Sequence, residues 1–195
     1  MTMRRLTVLI AAGAALLAPA AAGAKSDSAY TDLTYEADAG AKATCKGTSA
    51  DEETGSVTFE CKGRDGIKVY IAEGDLRTYV SYGWNAKGEI AYGQTFPMFN
   101  QIGDKLEWRL KDGKPVATIL RWKMSADGKA GEVLVVTQLE EGNSCWIARV
   151  SASKNKNANE LARKAADELA GTVDCSSGTP PKDYGDLDDE DIQPR

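Results

Sequence analysis

Spacing constrains the chemistry of this chain most tightly at its four cysteines, Cys45, Cys61, Cys145 and Cys175, in a sequence that contains no histidine. There is no Cys-x-x-Cys pair, and successive cysteines stand 16 to 84 residues apart, so neither a redox dithiol nor a zinc cage is encoded. Structural disulfides are what such cysteines form in an oxidising compartment. Of the pairings open to four cysteines, spacing favours Cys45 with Cys61, which flank the polar segment Gly47 to Gly55 as opposite positions of a hairpin centred near Glu53. Cys145 then meets Cys175, provided that a helix runs back along a strand of equal length between them.

Without histidine the Ser-His-Asp and Cys-His templates, imidazole metal ligation and the usual neutral-pH general base are all removed. A carboxylate pair of the glycosidase type survives, but the acids fall in no distinctive motif. Glu73 and Asp75 straddle a tight turn, where turn chemistry alone accounts for Asp75. No catalytic residue, metal ligand or cofactor site is assigned. For binding, the candidates are Tyr70, Arg77 and Tyr79, which a hairpin brings to one face in the Tyr-plus-Arg composition of protein-binding hot spots. The competing expectation is that the Trp84 to Gly103 segment or a helix covers these tyrosines. Trp84, Trp108, Trp122 and Trp146 all lie in or beside strand patterns and read as core.

The elements that position these residues follow from periodicity. Val57, Phe59 and Cys61 alternate with polar neighbours, and Ile67, Val69 and Ile71 do the same, as half-buried strands do. With Gly74-Asp75 as a two-residue turn, Ile71 faces Thr78, Val69 faces Val80, Ile67 faces Tyr82, and Tyr70 lies opposite Tyr79. After an irregular stretch from Trp84 to Gly103, Leu106-Trp108-Leu110 alternates again. Asp112-Gly113 marks a turn, and Val116 to Met124 is a long strand. Val133 to Leu139, apolar on both faces, reads as a central strand covered on each side. The single convincing helix runs from Asn157, as N-cap with Glu160 as its capping partner, to a stop at Gly171. Its apolar stripe is Ala158, Leu161, Ala162, Ala165 and Leu169. The fold class is therefore α+β: a mostly antiparallel sheet of hairpins with one C-terminal helix packed on it and two disulfides.

Arg4 and Arg5, the apolar run Leu6 to Ala18 and the small residues Ala22-Gly23-Ala24 form an export signal with a cleavage site before Lys25. Its removal takes away two cations and moves the net charge from −5 to −7. An acidic product lacks the clustered Lys and Arg that nucleic acid or anionic membrane requires, and no stable membrane insertion is expected after cleavage. The organisation is a signal peptide over 1–24, one β-rich domain over 25–178 with 25–29 flexible, and an acidic tail over 179–195. In that tail Asp183, Asp186, Asp188, Asp189, Glu190 and Asp191 leave too little apolar surface for order.

The segments Ala72-Glu73-Gly74-Asp75-Leu76-Arg77, Val80-Ser81-Tyr82-Gly83, Glu107-Trp108-Arg109 and Asn159-Glu160-Leu161-Ala162-Arg163-Lys164-Ala165-Ala166-Asp167 resemble an uncharacterised family of secreted bacterial proteins, over roughly residues 56 to 170. The resemblance implies periplasmic export and no particular activity. In gross design the chain is also similar to the small disulfide-bonded periplasmic lysozyme inhibitors, whose target is basic.

The expectation is therefore a periplasmic or secreted, non-catalytic protein whose partner is a basic protein or a cell-wall component. The alternatives are a carboxylate-dependent enzyme acting on glycans and a periplasmic inhibitor of a basic enzyme such as lysozyme.

Overall fold

A computed structural model describes residues 25–126, 129–187 and 192. The export signal expected over 1–24 lies outside the described residues. The chain order is β1 (Ser26–Asp32), α1 (Glu36–Ala39), β2 (Cys45–Asp51), β3 (Ser56–Arg64), β4 (Ile67–Gly74), β5 (Arg77–Gly83), β6 (Phe99–Lys111), β7 (Lys114–Ala126), β8 (Lys129–Gln138), β9 (Trp146–Ser151), α2 (Ala158–Leu169) and β10 (Lys182–Tyr184). Two meanders result. A four-stranded sheet runs β2-β3-β4-β5, and a six-stranded sheet runs β1-β6-β7-β8-β9-β10, antiparallel except for the β9–β10 pair.

The six-stranded sheet is the middle of three layers. On one face Leu106, Trp108, Leu120, Trp122, Val133 and Val135 meet Val69, Ile71, Val80 and Tyr82 of the smaller sheet in one core. On the other, Ile119, Leu134, Val136, Ile147 and Val150 meet Ala158, Ala162, Ala165 and Ala166 of α2. That is why β8 reads as apolar on both faces. Pro115, which has no N–H to give the ladder, sits where the β6–β7 register slips between Arg109 and Leu110.

Both disulfides join the pairs that spacing favours. Cys45 and Cys61 face each other across β2 and β3. Cys145, just before β9, bonds Cys175, just beyond α2. Opposite that staple, α2 is pinned to β6 by two ion pairs. Arg109 grips Asp167 through two hydrogen bonds of 2.7 and 2.6 Å. Arg163 reaches the buried Glu107 carboxylate at 2.6 Å, which also accepts from the Ser28 hydroxyl.

Several expectations are corrected. The β4–β5 turn is Asp75-Leu76, not Gly74-Asp75, so Ile71 pairs with Val80, Val69 with Tyr82, Tyr70 with Ser81 and Ala72 with Tyr79. A shift of two positions preserves which side chains face the core, and the apolar pattern tolerates it. Asn157 makes no side-chain cap, because the preceding turn leaves it at φ −104°, ψ 27° rather than in extended backbone. Gly171, at φ 77°, does end α2.

Residues 26–29, expected to be flexible, belong to β1, which pairs with β6 along its whole length. The tail expected to be disordered from 179 is also structured among its described residues. Residues 182–184 pair with β9, the buried Tyr184 contributes to the helix-side core, and the Asn155 side chain hydrogen-bonds the Asp186 backbone at 2.9 and 3.0 Å. Ile192 is buried in the core between the sheets. Trp108, Trp122 and Trp146 are core as expected, whereas Trp84 is 61 % exposed. Strand β6 begins at Phe99, inside the stretch read as irregular. Among the described residues no helix is long and apolar enough to cross a membrane.

Candidate functional site

At one end of the two-sheet sandwich the hairpin tips part and leave a cleft of about 1130 Å³. The β2–β3 tip contributes Thr54, Gly55 and Val57, and the β4–β5 tip contributes Glu73 through Thr78. Across the gap lie Phe99 to Gln101 of β6, Lys123 to Ser125 of β7, Ala130 to Glu132 of β8, and Ser153.

Two exposed apolar side chains form its lip. Leu76 is 69 % and Phe99 54 % exposed. They are brought together by Asn100, a buried residue that spends its whole hydrogen-bonding capacity on this corner. Its N–H donates to Leu76 O at 3.0 Å and its side-chain oxygen accepts from the Thr78 N–H at 3.0 Å. Its Nδ2 donates to Met98 O at 2.8 Å, to Phe96 O at 3.1 Å and to the Thr95 hydroxyl at 3.2 Å. One carboxamide thus ties the edge of the small sheet to the start of the large one.

Leu76 is also conformationally unusual. Asp75 and Leu76 have φ of 52° and 58°, the geometry of a type I′ turn, which favours Asn, Asp or Gly at both positions. A leucine held left-handed costs about 1–2 kcal/mol, and nothing buries this one in return. Replacing it, Leu76→Gly, is expected to stabilise the protein by about 0.5–1 kcal/mol, the released strain less the added freedom of glycine in the unfolded chain. For a chain of this size that amounts to about 1–4 °C in Tm. Differential scanning calorimetry reads it directly, and an unchanged or lower Tm would show that the leucine supports the fold.

Glu73 sits deeper. It occupies the inward-facing position beyond Val69 and Ile71 on β4, where it pairs with Val57 and Thr78 of the neighbouring strands. Burial raises its pKa above the ordinary 4.5. Its charge in turn adds to the burial that pushes the Tyr35 hydroxyl up to about 12. Among the described residues its carboxylate makes no hydrogen bond or ion pair. The other acids of the cleft are engaged, Asp75 by Arg77 and Glu132 by Arg121 at 2.7 Å.

Of the residues singled out from the sequence, Glu73, Asp75 and Arg77 line this cleft. Tyr70 does not. It is buried beneath the segment before β6, with Tyr92 at 5.6 Å between ring centroids and Lys87 Nζ 4.8 Å from its ring. Tyr79 is half-buried opposite Ala72, outside the cleft. The expected face is therefore divided, with Tyr70 covered and Tyr79 half-buried. Leu76 and Phe99 carry no sequence motif. Their only signal is an apolar residue where a turn asks for glycine or asparagine.

No family model, curated protein or solved structure matches this chain.

Proposed function

We propose that the protein is an exported, non-catalytic binding protein of the bacterial envelope that recognises another protein through the cleft between its hairpin tips. The observation that carries this reading is Leu76, a leucine kept in strained backbone and in solvent beside the exposed Phe99. Strain that the fold does not need is characteristic of binding and switch positions. Export is supported by the signal pattern over 1–24 and by two disulfides, which persist in oxidising compartments. The acidic balance favours a basic partner, such as a lysozyme-type enzyme.

The test is a photoreactive residue at Gln101, on the cleft wall, in full-length protein expressed in its native envelope. A discrete adduct is expected that disappears when Leu76 and Phe99 are both changed to serine, with no such adduct from the same probe at Tyr30. An adduct that survives the double substitution would place the partner elsewhere and sink the reading.

A second reading is favoured by one observation: Glu73 and Glu132 line the same cleft in different settings, one without a partner and the other ion-paired. Such a difference is how two carboxylates are set for acid and base roles on a glycan. Release of soluble fragments from peptidoglycan by the purified protein, abolished by Glu73→Gln, would establish this alternative.

A further inference from the structure

Resting on the cleft as the partner site, we infer that what enters it is a lysine or arginine side chain, its methylene stem against Leu76 and Phe99 and its cationic head on the Glu73 carboxylate. The cleft supplies the two halves such a side chain needs, an apolar lip and an acid behind it. Long cationic side chains bury their stems along apolar surface and keep the charge for a polar partner.

The acid is unspent. Glu73 occupies a position continuous with the core side chains Val69 and Ile71, and the groups around it leave it uncompensated. On the β4–β5 turn Arg77 is taken by Asp75. From the segment before α1, Tyr35 offers a neutral hydroxyl. On β8, Glu132 is a second acid, held by Arg121. On β7, Lys123 is exposed at the cleft and makes no ion pair with Glu73. A desolvated carboxylate without a partner is costly, and an incoming cation removes that cost as it binds. The net charge, −5 over the full sequence and −7 without residues 1–24, draws such a partner in.

The sign of the pH dependence follows from the geometry and the raised pKa of Glu73. The cation requires the ionised carboxylate, so affinity is full above that pKa and falls as the pH drops through it. Stability runs the other way. The folded state binds this proton more tightly than the unfolded chain, so burying the charge costs stability at neutral pH and costs nothing once both states are protonated below 4.5. Glu73→Gln is therefore expected to fold and to equal or exceed the parent in Tm at pH 7, the difference closing toward pH 4.5.

The experiment titrates N-acetyl-lysine methylamide and N-acetyl-arginine methylamide into the isotope-labelled full mature chain, followed by amide shifts. N-acetyl-norleucine methylamide, the same stem without the charge, and chitotetraose serve as comparisons. Shifts are expected at Glu73, Thr78, Asn100 and Met124. Affinity should fall about tenfold or more in Glu73→Gln and for norleucine, the loss that follows from removing one charged partner. Lys123→Gln should tighten it. Equal binding of lysine and norleucine, or binding indifferent to Glu73→Gln, would overturn the inference. If neither cationic probe binds while the Gln101 adduct persists, this inference fails and the partner site stands. If chitotetraose alone fills the cleft, both fail.

Discussion

Replacing Cys145 and Cys175 together by serine is expected to lower the free energy of unfolding by about 3–4 kcal/mol, the chain-entropy value for a closed loop of this length. The sequence separation is 30, against 16 for Cys45–Cys61, so this bridge restrains the unfolded chain more. Its native environment does not substitute for it. The buried Gln138 accepts from Gly171 N–H at 2.8 Å and donates to Val173 O at 3.0 Å, and Asn143 accepts from Cys175 N–H at 2.9 Å. These bonds hold the folded geometry, whereas the disulfide acts on the unfolded ensemble, where they are absent. The loss also falls unevenly. Helix α2 meets the sheet mainly through alanines, which bury little area per residue, so once the staple is cut its segment gains the most freedom on opening, with the Arg109–Asp167 and Arg163–Glu107 pairs left to hold it. Amide exchange should quicken first in α2 and β10, with the two-sheet core protected until global unfolding. Urea denaturation of the double variant checks the magnitude. A loss under 1 kcal/mol would mean that the unfolded state keeps these segments together without the bond.

Much of the scaffold is legible because its signals are local. Alternation in β3 and β4, the double-sided apolar run of β8, the Asp112-Gly113 turn and the cysteine spacings each depend on neighbours in sequence. What escapes is decided by distant chain. Asn157 looks like a helix cap, but the turn before α2 is bound elsewhere: Asn155 uses its side chain on Ser151 and on the Asp186 backbone. The Asp183-to-Asp191 composition suggests disorder, yet at residues 182–184 the β9 edge offers a free ladder and Arg149 pairs with Asp183 at 2.9 Å. There an open strand edge and one well-placed cation outweigh composition.

The candidate site is illegible for a related reason. Turn propensity places the β4–β5 bend at Gly74-Asp75, where glycine is cheap, and the chain bends one residue later at the cost of a left-handed leucine. Asn100, more than twenty residues on and bonded to both Thr78 and Leu76 O, helps that geometry hold. Tyr70 and Tyr79 look like a surface because nothing local says that residues 86–93 fold over Tyr70. The place where local rules fail is the lip of the cleft, where a functional demand would make them fail.

Phe96→Ala is expected to cost about 3–5 kcal/mol, the range for emptying a buried aromatic site. The ring is 2 % exposed and packs 5.6 Å from the Trp122 centroid and 5.0 Å from Trp146, the two indoles being 5.3 Å apart. It is the plug by which the segment between β5 and β6 closes the core. The same segment is tied to the β8–β9 turn: Glu89 accepts from Gly142 N–H at 2.8 Å and Ser144 N–H at 2.9 Å, and Gln94 accepts from Trp146 N–H at 2.7 Å. Those bonds keep the segment from collapsing into the vacated space, which places the cost at the upper part of the range. The cleft should nevertheless survive, because Asn100 bonds the Phe96 carbonyl and not its ring. At a temperature where the variant is still folded, tryptophan emission should shift to the red while the Gln101 adduct persists. If the adduct vanishes with the core still folded, the lip depends on the packing of Phe96, and Asn100 alone does not hold Leu76 beside Phe99.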